Sequence, residues 1–566
     1  MNKSLNRILY TVLVFLLGMS VAFYWVKQQR TTPHTYDKFR DLIYYIDHYY
    51  VDTVDHEQLT EHAIRGMLEH LDPHSTYSDA KENKAQTEQL EGAFEGIGVQ
   101  FNIMNDTIMV VAAIAGGPSE KAGIRAGDRI VLVDGEPVAS IGITNEQVFK
   151  RLRGQKGTHV KIGIIRPKVT GVLDFEIIRD VIPTHSVPSA YMMNDHTGYI
   201  KIDQFGSHTA DEFTEALKKL IAKGMQKLIL DLRGNAGGYL DAALKIADHF
   251  LPQGDLILSV KGLHVKPEKF HATSKGLFQE GELIVLIDEF SASASEIVAG
   301  AIQDNDRGAI IGRRSFGKGL VQRPFDFADG SQVRLTVSRY YTPSGRSIQR
   351  YYKDGTTAYY EDLYKRIVEE DDTVSMETDT IPLAEYRTKS GRIVYGGGGI
   401  TPDIIVPHEK RTHSDAYYQA LNNTALIQFA FNYVTQNKAM LTKTYPSAEV
   451  FIKKMNVTEA ILQEYLKFYA QKSEQNIPSL NSEERKALSM WLKALIGRNL
   501  YQDEAFYPIL NLMDEVIKRA LGEKYTQLSQ KQANGVSQCV RHSQTASGCC
   551  TTTHQSFQGL CNSYAR

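Results

Sequence analysis

The chain has 566 residues, enough for three or four domains, with 42% apolar and 23% charged residues, ordinary proportions for a globular protein. Its 64 basic and 66 acidic residues leave a formal charge of -2, which gives nucleic acid no electrostatic footing as a partner. The four cysteines, Cys539, Cys549, Cys550 and Cys561, all lie in the carboxyl-terminal tail, which excludes cysteine catalysis and disulfides from the body.

Residues 8–26, ILYTVLVFLLGMSVAFYWV, carry no charge and are long enough for a membrane-crossing helix. Lys3 and Arg7 precede the segment, and Tyr24 and Trp25 close it where an aromatic belt would sit. A cleaved signal peptide would have a shorter apolar core ending in small residues. Residues 1–30 therefore read as a single-pass transmembrane anchor in the inner (cytoplasmic) membrane, with a cleaved signal peptide as the alternative, and the rest of the chain on the periplasmic side. Residues 31–91 read as helical. Phe39, Leu42, Ile43 and Ile46 make one stripe, and Leu59, Ala63, Met67 and Leu68 another, with LDPHSTYS (71–78) as a loop.

Residues 92–183 change to short β-branched runs with glycine turns. GIGVQF (96–101), 107–114, 128–138 and 159–167 read as strands, 121–128 as a short helix and turn, and 145–154 as a helix ended by Gly154. Residues 184–408 alternate strands and helices, an α/β pattern. Strands are expected at 198–205, 227–232, 283–288, 309–312 and 333–342, and helices at 209–223, 239–250 and 293–304. The run KLILDL (227–232) has the continuous apolar character of a strand buried on both faces. Residues 409–531 read as helical, and 532–566, rich in Ser, Thr, Gln, Gly and Cys, as a disordered tail.

Three turns carry the candidate chemistry. SASASEIVAG (291–300) leads from a strand into a helix, where free N–H groups and the positive helix end favour developing negative charge. Read alone, its serines are helix caps. In RRSFGKGLVQ (313–322), Lys318 stands between two glycines. A lysine shifted by burial toward neutrality can take a serine proton, whereas read alone it is a surface charge. LDLRGNAGGYLDAA (230–243) is a third strand-to-helix turn whose glycines let N–H groups point at a ligand. Gly312–Lys318 matches the start of a phosphate-binding loop, but Gly319 stands where Ser or Thr is required, and a strand follows instead of a helix. No G-x-S-x-G, H-E-x-x-H or clustered histidine ligands occur.

Taken in order, YVDTVDHEQL, GMLEHLDPHSTY, DLRGNAGG, SASASEIVAGAIQD, FGKGLVQ, YYTPSGRSIQ and GGGGITPDIIVP resemble the carboxyl-terminal processing peptidases, serine proteases with a Ser–Lys dyad, over residues 36–408. The resemblance implies Ser293 as nucleophile, Lys318 as general base and Gln322 as the residue orienting the lysine. Ala294 and Gly238 would supply the oxyanion N–H groups, with Gly237 as the alternative. Arg233, Glu296 and Asp304 match supporting positions. Residues 92–183 resemble a PDZ domain, with Gly96, Ile97, Gly98 and Val99 as its carboxylate loop. The implied architecture is a crotonase-like α/β protease core with an inserted PDZ domain, flanked by helical regions and the amino-terminal anchor. The implied activity is cleavage of exported proteins near their carboxyl termini through an acyl-enzyme, with no metal or organic cofactor. The expected partners are proteins with accessible tails and the membrane. The helical region 409–531, longer than a protease needs, points to oligomerisation or docking. The competing reading is a PDZ scaffold without catalysis that presents envelope proteins to another protease.

Overall fold

The computed structural model describes residues 34–522 except 115, 168, 369–383 and 410, together with 13 and 15–20. Most of the apolar segment 8–26, and all of the tail 532–566, lie outside the described residues. Among the described residues no helix is long and apolar enough to cross a membrane, so the anchor rests on sequence alone.

The chain divides after Leu71 into two compact units. The described part of the first includes α1 (His34–Tyr49) and α2 (His56–Glu69), the latter capped by Asp55, which accepts the Gln58 N–H at 3.1 Å. The second opens at Asp72, within LDPHSTYS, which is not all loop: its end forms β1 (Thr76–Ser78), and Asp79 then caps α3 (Ala80–Glu91) in a capping box with Glu82.

The glycine-rich stretch that follows is an antiparallel module. It comprises β2 (Ala93–Gly96), β3 (Val99–Ile103), β4 (Ile108–Ala113), α4 (Pro118–Ala122), β5 (Arg129–Val133), β6 (Glu136–Pro137), α5 (Asn145–Leu152), β7 (His159–Ile165), β8 (Leu173–Ile178) and β9 (Asp180–Pro183). One sheet runs β3-β4-β5-β7-β8 with β6 on β5, and β2 pairs β9 where the chain enters and leaves. The expected strand 96–101 is interrupted because Gly98 adopts φ +71°, which turns the chain between β2 and β3. The helix expected to end at Gly154 stops at Leu152, because Arg153 becomes extended and bridges Gly96.

The next part builds two sheets. β10 (Ser189–Met192), β11 (Thr197–Lys201), α6 (Thr209–Ala222), β12 (Lys227–Asp231), α7 (Leu240–Asp248), β13 (Leu256–Lys261), β14 (Glu268–His271), β15 (Glu282–Ile287), α8 (Ala294–Asp304), β16 (Ala309–Gly312), β17 (Leu320–Asp326) and β18 (Gln332–Tyr341) follow in order. After α9 (Thr356–Val368) come the hairpin β19 (Glu385–Arg387) and β20 (Ile393–Tyr395), then β21 (Ile404–Ile405). The first sheet runs β10-β11-β12-β15-β16-β21 and is parallel except for β10. The second, antiparallel, runs β1-β18-β13-β14 with β17 on β18.

Side-chain alternation assigns each parallel strand two apolar faces. Leu228, Leu230, Leu283, Val285 and Ile310 join one core with α6, α7 and α8, while Ile229, Ile284, Leu286 and Ile311 join another. This two-sided burial explains the continuous apolar runs in the sequence.

The C-terminal helices α10 (Asp415–Leu421), α11 (Thr424–Thr444), α12 (Ala448–Lys454), α13 (Glu459–Ser473), α14 (Ser482–Tyr501) and α15 (Asp503–Leu510) have their own core. The last described helix, α16 (Glu515–Gly522), leaves that bundle: Val516, Ile517 and Ala520 cover the outer face of the parallel sheet. By packing, therefore, the layer that covers the parallel sheet reaches past residue 408.

Candidate active site

Residue 293 stands between β15 and α8, at the carboxyl end of a parallel strand and the amino end of a helix. The three serines of SASAS are not equivalent. Ser291 and Ser295 are fully buried and donate to the Leu232 and Asn235 carbonyls, each at 2.9 Å, whereas Ser293 is half-exposed. Ser293 has φ +55° and ψ −110°, a conformation that costs a non-glycine residue about 1–3 kcal/mol and that its surroundings must hold.

Glu296 does much of the holding. It is completely buried, and its carboxylate accepts four hydrogen bonds. Oε2 takes the Ser293 N–H at 2.8 Å and the Lys318 N–H at 2.9 Å; Oε1 takes the Gly317 N–H at 2.7 Å and the Ser315 hydroxyl at 2.5 Å. Burial pushes its proton affinity up, to a pKa of about 6, against the pull of those donors. Tyr340, from β18, donates its hydroxyl to the Lys318 carbonyl at 2.7 Å, with the Ser293 carbonyl at 3.2 Å. The backbones of the two expected reacting residues are thus tied together from both sides.

Lys318 is half-buried, and the loss of water lowers its proton affinity below the usual lysine value. The negative charges of Glu296 and Asp72 oppose that shift, and Arg334 adds to it. Among the described residues no hydrogen bond joins Lys318 Nζ to Ser293 Oγ. The flanking Gly317 has φ +91°, and a Cβ there would come within 3.1 Å of the Gly398 and Gly399 backbone, so the loop closes only with glycine.

The DLRGNAGG turn lies against the same serine. A Cβ on Gly237 would stand 2.8 Å from Ser293 Cβ and 3.0 Å from the Ala294 nitrogen. Buried Asn235 pins the two turns together: its carbonyl accepts the Ala292 N–H at 3.0 Å, and its side chain donates to the Ile202 carbonyl at 2.9 Å. Its Oδ1 accepts the Gly237 N–H at 2.8 Å, which removes Gly237 as an oxyanion donor. Gly238 is exposed, and its N–H, like that of Ala294, has no acceptor among the described residues.

The remaining expected residues fall in two groups. Arg233 and Asp304 are spent on structure. Asp231 binds the Arg233 guanidinium at 2.7 Å, and Asp304 holds fully buried Arg346 at 2.7 Å and the Ser344 hydroxyl at 2.6 Å. Gln322 does not reach Lys318: a register shift between Val321 and Gln322 sets it opposite Thr336, to whose hydroxyl it donates at 3.1 Å. Thr336 in turn donates to Asp72 at 3.0 Å. Sequence reasoning missed Tyr340, Asn235 and Asp72. Tyr340 reads like any core aromatic on a strand, and Asn235 like a turn residue, so only the fold separates them from their neighbours.

In the antiparallel module β3 is an edge strand, paired with β4 alone, and α5 lies beside it through a 5.6 Å Phe101–Phe149 ring contact. The Ile97 and Gly98 N–H groups, in the turn before β3, have no acceptor among the described residues.

A parallel-sheet core with open N–H groups at one strand-to-helix turn, carrying a small module with a free strand edge, is an arrangement that a serine-type peptidase with a PDZ domain can use, and the family models identify that class. Peptidase family S41 matches residues 196–361, a PDZ domain family 109–166, the Activating protease CtpB N-terminal domain 24–82, and a family of unknown function 416–502. The carboxy-terminal-processing protease of Bartonella bacilliformis is 37% identical over 350 residues, covering 60% of this chain and 80% of its own. Carboxy-terminal processing protease CtpA of Bacillus subtilis is 37% identical over 325 residues, 57% of this chain and 69% of its own. A solved photosystem II D1 C-terminal processing protease is 29% identical and covers 56% of this chain and 84% of its own, with a TM-score of 0.33. The chain belongs to peptidase family S41 and is a serine peptidase of the carboxy-terminal processing type.

Proposed function

We propose that Ser293 is the nucleophile and Lys318 the general base. Ser293 Oγ attacks the scissile carbonyl and passes its proton to neutral Lys318 Nζ. The resulting oxyanion is received by the Gly238 and Ala294 N–H groups. Lys318 then protonates the leaving amine, and water, deprotonated by the same lysine, releases the acyl group. The observation that carries this reading is Glu296 Oε2, which accepts the Ser293 and Lys318 N–H groups together. Catalytic hydrogen bonds in ligand-free sites often tighten only when substrate arrives, which accommodates the missing Nζ–Oγ bond.

The substrates are exported proteins with accessible carboxyl termini, added as a strand beside β3 with the terminal carboxylate on the Ile97 and Gly98 N–H groups. Residues 8–26 anchor the enzyme in the inner membrane with its catalytic part on the periplasmic side, on the strength of their charge-free length and basic inner flank. An unstructured protein with a free carboxyl terminus, offered to wild type, Ser293→Ala and Lys318→Ala, tests the dyad. Only wild type should cut; equal cleavage by either variant removes that residue from the mechanism. Amidating the substrate's carboxyl terminus should weaken binding about tenfold, the order expected from losing a charge-assisted hydrogen bond. Unchanged binding would refute the carboxylate loop.

A further inference from the structure

The turn that bears Gly238 has a tether outside the protease sheets. Asp231, at the end of β12, accepts Arg233 Nε at 2.9 Å, Arg233 Nη2 at 2.7 Å and the Tyr199 hydroxyl at 2.8 Å. The guanidinium's other end, Nη1, donates to Asp514 Oδ2 at 2.8 Å, a contact between residues 281 positions apart. Asp514 in turn caps α16 by accepting the Ile517 N–H at 3.0 Å. That helix is seated on the sheet by Val516, Ile517 and Ala520, and beside it Asn511 donates to the Tyr191 hydroxyl at 2.9 Å.

The guanidinium is therefore held on two sides. Asp231 fixes its plane from within the sheet, and Asp514 fixes its outer end from the helical region. The Arg233 carbonyl is held as well, by Lys201 Nζ at 2.9 Å. Five residues further along the same turn comes the open N–H of Gly238. A displacement of Arg233 passes along a short, hydrogen-bonded turn to that donor, and donors serve only within a narrow range of distance from the oxyanion.

We propose that Asp514 is a positioning residue for peptide cleavage: through Arg233 it sets the turn that presents Gly238, so one residue from the C-terminal helical region helps to position the active centre. The proposal rests on the reading of Gly238 as an oxyanion donor.

The test uses the full chain. Asp514→Ser keeps a helix cap but removes the carboxylate from Arg233. It should lower kcat about tenfold with KM unchanged, less than the 10²–10³ lost when an oxyanion donor is deleted. Asp514→Glu should recover most of that loss. Asn511→Ala loosens the same segment without touching Arg233 and should keep wild-type kcat. A wild-type kcat in Asp514→Ser overturns the proposal, and so does an equal loss in Asn511→Ala, which would mean that helix docking in general is at work. If Asp514→Ser does not fold, Asp514→Asn carries the same reading with a smaller expected loss. Ser293→Ala run alongside separates the two levels. Retained cleavage there strikes the site itself, while an inactive Ser293→Ala beside an unimpaired Asp514→Ser strikes only the clamp.

Discussion

Replacing Glu296 by glutamine removes one charge and almost no volume, so it isolates what the carboxylate does. Both oxygens now accept, two donors each. An amide has one accepting oxygen, so whichever way it is turned its NH₂ faces two donors that then have no acceptor. Hydrogen bonds to a charged group contribute about 1.5–3 kcal/mol each, which sets a loss of roughly 3–6 kcal/mol. Against this, the raised pKa of about 6 means that keeping the buried carboxylate ionised costs about 2 kcal/mol, a cost glutamine avoids. The net expectation is about 1–4 kcal/mol of destabilisation. It should come with a fall in kcat of at least tenfold at unchanged KM, because one orientation frees the N–H groups of both Ser293 and Lys318. Denaturant unfolding and steady-state cleavage of a fluorogenic peptide measure the two effects. A Glu296→Gln enzyme with wild-type kcat and midpoint would refute the claim that this carboxylate joins the two loops.

Acidification should reduce activity through two groups. Lys318 must be neutral to act, so kcat rises with pH through its lowered pKa; protonation of Glu296 below about pH 6 removes an acceptor from the joined loops. The stability signs differ. Glu296 binds its proton more tightly folded than unfolded, so its contribution to stability grows as pH falls from 6 toward 4.5, whereas Lys318 contributes more as pH rises through its lowered pKa toward 10.5. Activity should therefore fall near pH 6 without a matching fall in thermal midpoint from Glu296; coincident loss of both would count against this assignment. Lys318→Met should abolish cleavage and raise the unfolding free energy by about 1 kcal/mol, since it removes a half-buried cation whose ammonium has no hydrogen-bond or ion-pair partner among the described residues; a less stable variant would contradict the burial argument. Gly238→Ala would bring a Cβ to 2.2 Å from the Phe205 carbonyl and should cost at least 10² in kcat, read by single-turnover acylation; an acylation rate near wild type would clear Gly238 of the oxyanion role.

Much of this site was legible in the residues, though unevenly. The apolar run 227–232 announced a strand buried on both faces because both faces are indeed covered. The order of the motifs separated Ser293 from Ser291 and Ser295, which local propensity cannot do, since all three serve equally as caps on paper. Where the reading failed, long-range partners decided the outcome. Gln322 faces Thr336 because of a register shift in an antiparallel pair, with a partner 14 positions further along the chain. Thr76–Ser78 is a strand only because Gln332–Arg334 lies beside it. Gly237 and Gly238 look interchangeable in sequence; Asn235 distinguishes them by consuming one N–H. The role of Asp514 depends on a helix returning to a sheet made far earlier in the chain.

That return has a bearing on how the protein is made. The strands of the parallel sheet lie between positions 189 and 405, but the outer face formed by Tyr199, Ile229, Leu286 and Ile311 is covered by a helix at 515–522. During synthesis the strands emerge with that face bare, and it stays bare until the whole helical region has been added. A growing chain in this state exposes apolar surface and depends on chaperones or speed to avoid sticking. The same delay withholds the Asp514 contact to Arg233, the tether of the Gly238 turn, until the helical region has been added.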